Sequence, residues 1–146
     1  MSVDVLTETV IERPVAEVSA YATDPANAPS WYTNIESVNW KTPPPLQVGS
    51  AVAFVARFLG RRLAYTYDIV ELVPGERLVM RTRAGPFPME TTYTWTAISE
   101  HSTRMTLRNR GEPSGFSRLL APLMAPAVRR ANCKDLVALK TILEST

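Results

Sequence analysis

The sequence contains one cysteine and one histidine in 146 residues. A single thiol, Cys133, excludes an intrachain disulfide and fits a reducing, cytoplasmic setting. So few soft ligands also exclude a zinc site of the usual His/Cys kind, and no metal or organic cofactor is expected. An excess of one charge is missing too. Sixteen Lys+Arg face 14 Asp+Glu, and the net charge of +2 makes no electrostatic case for a nucleic-acid partner. No run approaches the roughly 18 apolar residues of a membrane span, so stable membrane insertion is not expected. The opening Met1-Ser2-Val3-Asp4-Val5 has neither a basic nor an apolar signal region. Glycine-rich phosphate loops and nucleophile–base signatures are absent as well.

What remains is an ordinary globular composition, 45% hydrophobic and 21% charged. The length suits one domain over residues 1–146, able to bury roughly two-thirds of its unfolded surface. No repeat or linker divides it.

Periodicity then orders the chain. Residues 3–12 read as a strand with Val3, Val5, Thr7 and Thr9 on one face. Pro14 opens a short helix over 14–23, and Asp24 caps a second over 25–32 that ends in Trp31-Tyr32. From 35 onward the period becomes two. Strands are expected at 35–42, ended by three prolines, and at 50–59, with Val52, Phe54, Ala56 and Phe58 on one face. Leu63, Tyr65, Tyr67 and Ile69 alternate next, followed by the turn Val73-Pro74-Gly75-Glu76. The series Leu78, Met80, Thr82 precedes the loop Gly85-Pro86-Phe87-Pro88. Met89, Thr91, Tyr93, Trp95 and Ala97 follow, and Thr103, Met105, Leu107 and Asn109 complete an antiparallel meander. Residues 116–144 form the longest element, a helix with an approximate stripe of Leu120, Met124, Ala127, Ala131, Leu136, Leu139 and Leu143. Pro122 and Pro126 predict a kink or a late helix start within it.

Strand, two short helices, six strands and a long helix is the helix-grip order. The segment Val10-Ile11-Glu12-Arg13-Pro14-Val15-Ala16-Glu17-Val18, with Tyr21, Asp24 and Trp31, resembles the opening of the bacterial polyketide cyclase/dehydrase and lipid-transport branch of the START-like superfamily. Val48-Gly49-Ser50, Gly60-Arg61-Arg62, Tyr67 through Glu71 with Pro74, Arg77-Leu78 and Asp135 through Lys140 are similar too. The resemblance implies an α+β helix-grip fold: a curved antiparallel sheet of about seven strands wrapped around the C-terminal helix. It is specific for fold and not for function, since binding proteins and enzymes share the superfamily.

A bent sheet around one helix leaves a pocket unless bulky side chains fill it. Inward parity makes Phe54, Phe58, Tyr65, Tyr67, Met80, Tyr93, Trp95, Leu107 and Asn109 candidate ligand contacts from the sheet. Leu120, Met124, Ala127 and Ala131 are the candidates from the long helix, with Trp31 from the short helices. Phe87 and Phe116 are expected to flank an entrance. In the alternative, the aromatics simply fill a solid core.

The leading expectation is a binding or carrier protein for a lipid, polyketide or isoprenoid-like molecule, acting as a monomer or weak homodimer. An aromatase/cyclase or dehydrase in the same cavity is the second reading. Inward tyrosine hydroxyls could then orient a carbonyl, but structural hydrogen bonding is the better single reading of them, and no acid/base pair is recognisable. The third reading uses the outer face, where Arg81, Arg83, Arg104, Arg108 and Arg110 lie among threonines. A solvated face balanced by Glu90 accounts better for that pattern, since no aromatic interleaves the basic residues. His101 reads as a surface turn residue and Cys133 as structural or incidental.

Overall fold

A computed structural model describes residues 3–58, 60–84, 88–111 and 116–146, with side chains omitted at 58, 84 and 116–121. Seven strands form one antiparallel sheet: β1 (Val3–Ile11), β2 (Ile35–Trp40), β3 (Ala51–Phe58), β4 (Arg61–Val73), β5 (Arg77–Ala84), β6 (Met89–Ser99) and β7 (Ser102–Gly111). Their order is β1-β7-β6-β5-β4-β3-β2, so the first two strands in sequence are the two edges. The segment between them must therefore cross the sheet. It does so as α1 (Val15–Thr23), a 3-10 turn (Pro25–Asn27) and α2 (Ala28–Trp31). The long helix α3 (Phe116–Glu144) completes the helix-grip architecture.

Local sequence explains the short elements. Pro14 is the N-cap residue of α1. Asp24 accepts from the Ala26 N–H at 3.0 Å, the expected cap. Where one helix over 25–32 was expected, a 3-10 turn and a single α-turn stand end to end. Pro29 lies in the first turn of α2, where its missing N–H costs nothing. Between β4 and β5, Gly75 adopts φ +76°, and the Glu76 N–H closes the turn on the Val73 carbonyl at 2.9 Å.

α3 runs unbroken from Phe116, so the late start does not occur. Pro122 and Pro126 are both exposed and one turn apart. Each removes the N–H that would otherwise bond the carbonyl four residues earlier. The far end of the helix is clamped to the end of β1. The Glu12 N–H donates to Glu144 Oε2 at 2.8 Å, Lys140 Nζ to the Val10 carbonyl at 2.6 Å, and Arg13 to the Glu144 carbonyl at 3.1 Å.

Two packed regions result. Leu136, Leu139 and Leu143 of α3 pack with Ile11, Trp95, Met105 and Leu107 in the main core. Nearer its start, Met124 and Val128 pack on Val3 and Val5. Thus α3 follows the β1 side of the sheet, and part of the inner face of β3 to β6 is left for a different filling.

Candidate functional site

That space is a cavity of about 160 Å³. Its floor comes from Val52 and Phe54 on β3, Tyr65, Tyr67 and Ile69 on β4, Leu78 and Met80 on β5, and Thr91 and Tyr93 on β6. Trp31 and Tyr32 close one side, and Met124, Val128, Ala131, Asn132 and Asp135 of α3 form the roof. The rings pack on one another. Trp31 and Tyr32 have centroids 4.2 Å apart, Trp31 and Tyr93 5.8 Å, and Phe54 meets Tyr67 edge-on at 5.8 Å. Such contacts hold an aromatic wall in place without a ligand.

The wall carries two polar groupings. The hydroxyls of Tyr32 and Tyr93 are hydrogen-bonded to each other. Burial pushes both well above the ordinary phenol range, and Tyr65 and Tyr67 rise for the same reason. All four are therefore neutral at physiological pH. The second grouping runs across the sheet onto α3. Thr91 Oγ1 donates to Asn109 Oδ1 at 2.6 Å, and Asn109 Nδ2 donates to Asn132 Oδ1 at 3.2 Å. The Tyr67 hydroxyl lies 3.4 Å from Thr91 Oγ1.

One turn along α3, Asp135 is 2% exposed and accepts at Oδ1 from the Thr33 N–H at 2.9 Å and the Thr33 hydroxyl at 3.2 Å. Burial raises its carboxyl to about 6, against the opposing pull of the Thr33 bonds and nearby Lys134. It is a titratable group at the cavity wall, of the kind the sequence reading lacked.

Of the residues singled out from sequence, Trp31, Phe54, Tyr65, Tyr67, Met80, Tyr93, Asn109, Met124 and Ala131 meet at this cavity. Trp95 and Leu107 do not. They face inward but belong to the packed core beneath the C-terminal half of α3. Ala127 is half-buried and outside the lining. The strip facing the cavity follows Met124, Val128, Ala131/Asn132 and Asp135, and Ala127 stands on its flank. The side chains of Phe58, Phe116 and Leu120, and residue Phe87 with the proposed entrance loops, lie outside the described residues. Asp24 caps its turn and also reaches the cavity wall. Tyr32, Val128, Asn132 and Asp135 were missed. Tyr32 was visible as the end of a helix, but the polar pair on α3 interrupts an apolar stripe and reads as surface.

Outside, the charges pair among themselves. Glu90 holds Arg81 and Arg110, Asp68 holds Arg83, and Asp4 holds Arg108 through both carboxylate oxygens. His101 and Cys133 are exposed. No group of three or more metal-ligating side chains occurs among the described residues, and no helix there is long and apolar enough to cross a membrane.

The sequence family described as polyketide cyclase / dehydrase and lipid transport matches residues 2–144. The chain belongs to this family. Among curated proteins no match is found. A solved Thermus thermophilus protein is 20% identical, with TM-score 0.84 over 98% of this chain and 99% of that one. The Zhui aromatase/cyclase from a Streptomyces species superposes with TM-score 0.84 at 15% identity, covering 99% and 94%. A START superfamily protein from Mycobacterium smegmatis gives 0.74 at 14% identity, covering 97% and 94%. At these identities the likeness is one of fold. The family match accords with a role in hydrophobic-ligand binding or in cyclisation.

Proposed function

We propose that this family member binds and carries a small hydrophobic molecule in the cavity between its sheet and α3. The observation that carries the reading is the cavity itself. It occupies the face where a solid core would otherwise lie, and its walls are mainly apolar and aromatic. A volume of about 160 Å³ is close to that of an engineered apolar cavity that takes up benzene, so it suits one ring or an equivalent aliphatic segment. The exposed, unpaired Cys133 agrees with a reducing, cytoplasmic setting. Native mass spectrometry of protein purified from its own host tests the reading. A stoichiometric apolar adduct is expected, and an empty protein that also refuses apolar probes would refute it.

One observation favours a second reading, cyclisation or dehydration in the same cavity. Asp135, raised to about 6, shares the cavity wall with the neutral Tyr32–Tyr93 pair. A carboxyl poised near neutral pH beside neutral hydroxyls is suited to moving a proton at a bound carbonyl compound. Accelerated cyclisation of a poly-β-ketone mimic by the purified protein would establish this reading over a carrier role.

A further inference from the structure

Asn132 is 4% exposed, lies in the cavity roof and has no partner for its Nδ2 group. Its orientation is fixed from behind. Thr91 spends its hydroxyl proton on Asn109 Oδ1, which turns Asn109 Nδ2 toward α3. Asn132 must answer with Oδ1, and its two N–H donors are left facing elsewhere. Trp31, across the cavity, likewise has an indole N–H without a partner. Buried donors are seldom left unmade, because each forfeits its hydration. Both orphans on these wall residues are donors, so the missing group is an acceptor.

Charge narrows that acceptor further. Among the described residues no lysine or arginine lines the cavity, whereas Asp135 and Asp24 do. An anionic head group would lie beside the Asp135 carboxylate with no cation in the cavity lining to offset it.

We propose that Asn132 Nδ2 is the recognition group of this cavity and selects apolar molecules carrying a neutral oxygen acceptor, such as a ketone or ester carbonyl, over hydrocarbons and over carboxylates. The proposal rests on the hydrophobic-ligand reading and names the chemistry of its ligand. The Thr91–Asn109 relay is the positioning device, since it presents the amide with its donors free.

Acetophenone, ethylbenzene and benzoate form a matched set for the test, alike in ring and size. Binding of each is measured by NMR titration at pH 8. Wild-type protein is expected to prefer acetophenone over ethylbenzene about tenfold, the worth of one otherwise orphaned donor, and to bind benzoate weakest. Asn132→Leu keeps the volume without the donor and should collapse the acetophenone/ethylbenzene ratio to about one. A wild-type ratio near one, a ratio unchanged in the variant, or benzoate binding as well as acetophenone would overturn the proposal. In those cases ethylbenzene binding still leaves the hydrophobic-cavity reading standing. If none of the three binds, both readings fall. Should Asn132→Leu not fold, the side-chain amide resonances of wild-type Asn132 carry the test. They should move with acetophenone and stay with ethylbenzene, and equal movement with both would overturn the assignment.

Discussion

Asp135 on the long helix holds the residue that follows α2 and Tyr32, accepting at one carboxylate oxygen from both the N–H and the hydroxyl of Thr33. This contact joins the roof of the cavity to its aromatic side wall. It also places an ionisable group where burial opposes ionisation.

A pH dependence follows. The Asp135 carboxyl is raised to about 6, above its ordinary value of 3.8. Between these two values the folded chain keeps the proton and the unfolded chain releases it. Stability from this group is therefore greatest at low pH and is lost as pH rises toward and through about 6, by at most about 3 kcal/mol. Asp135→Asn preserves an acceptor for both Thr33 bonds and removes the titration. The variant should melt higher than wild type at pH 8 and no higher at pH 4. Equal melting curves at both pH values would show that Asp135 is not held as described.

The grip of α3 on the sheet can be weakened at its centre. Leu139 is fully buried among Ile11, Trp95 and Met105. Leu139→Ala should cost about 2–5 kcal/mol in denaturant unfolding. A cost below about 1 kcal/mol would mean the helix does not pack there.

Removing one hydroxyl separates carrier from catalyst. Tyr93→Phe leaves the Tyr32 hydroxyl buried without its partner, which should lower stability by about 1–3 kcal/mol. In a carrier, affinity for an apolar probe should change by no more than about threefold, because the ring area stays. In a cyclase, turnover of a poly-β-ketone mimic should fall about a hundredfold or more. The carrier account predicts that wild type shows no acceleration to lose.

How far the sequence reached depends on what each signal encodes. Alternation told which strand residues face inward, and so brought Phe54, Tyr67 and Tyr93 to the correct side. It could not tell cavity from core, because parity fixes the face and not the position under the helix. Trp95 shares its parity with Tyr93, yet it lies beneath Leu139 while Tyr93 reaches the cavity. On α3 the apolar stripe located the buried face through Met124 and Ala131. It passed over Asn132 and Asp135, whose burial depends on distant partners, Asn109 and Thr33, that no local pattern reveals. The Asp24 cap was legible because its partner is only two residues away.

The central claim is that an apolar molecule enters the space between sheet and α3. Ala131 has the smallest side chain among the α3 residues that line that space. Ala131→Trp should fill it, at an overpacking cost of about 1–3 kcal/mol. The most direct measurement is an amide NMR titration of wild type and Ala131→Trp with ethylbenzene, alongside their melting curves. The account predicts saturable one-to-one binding by wild type, with shifts at Phe54, Tyr93 and Val128, and none by a variant that remains folded. Shifts confined to the outer face around Arg81 and Arg108, or equal affinity in both proteins, would contradict it.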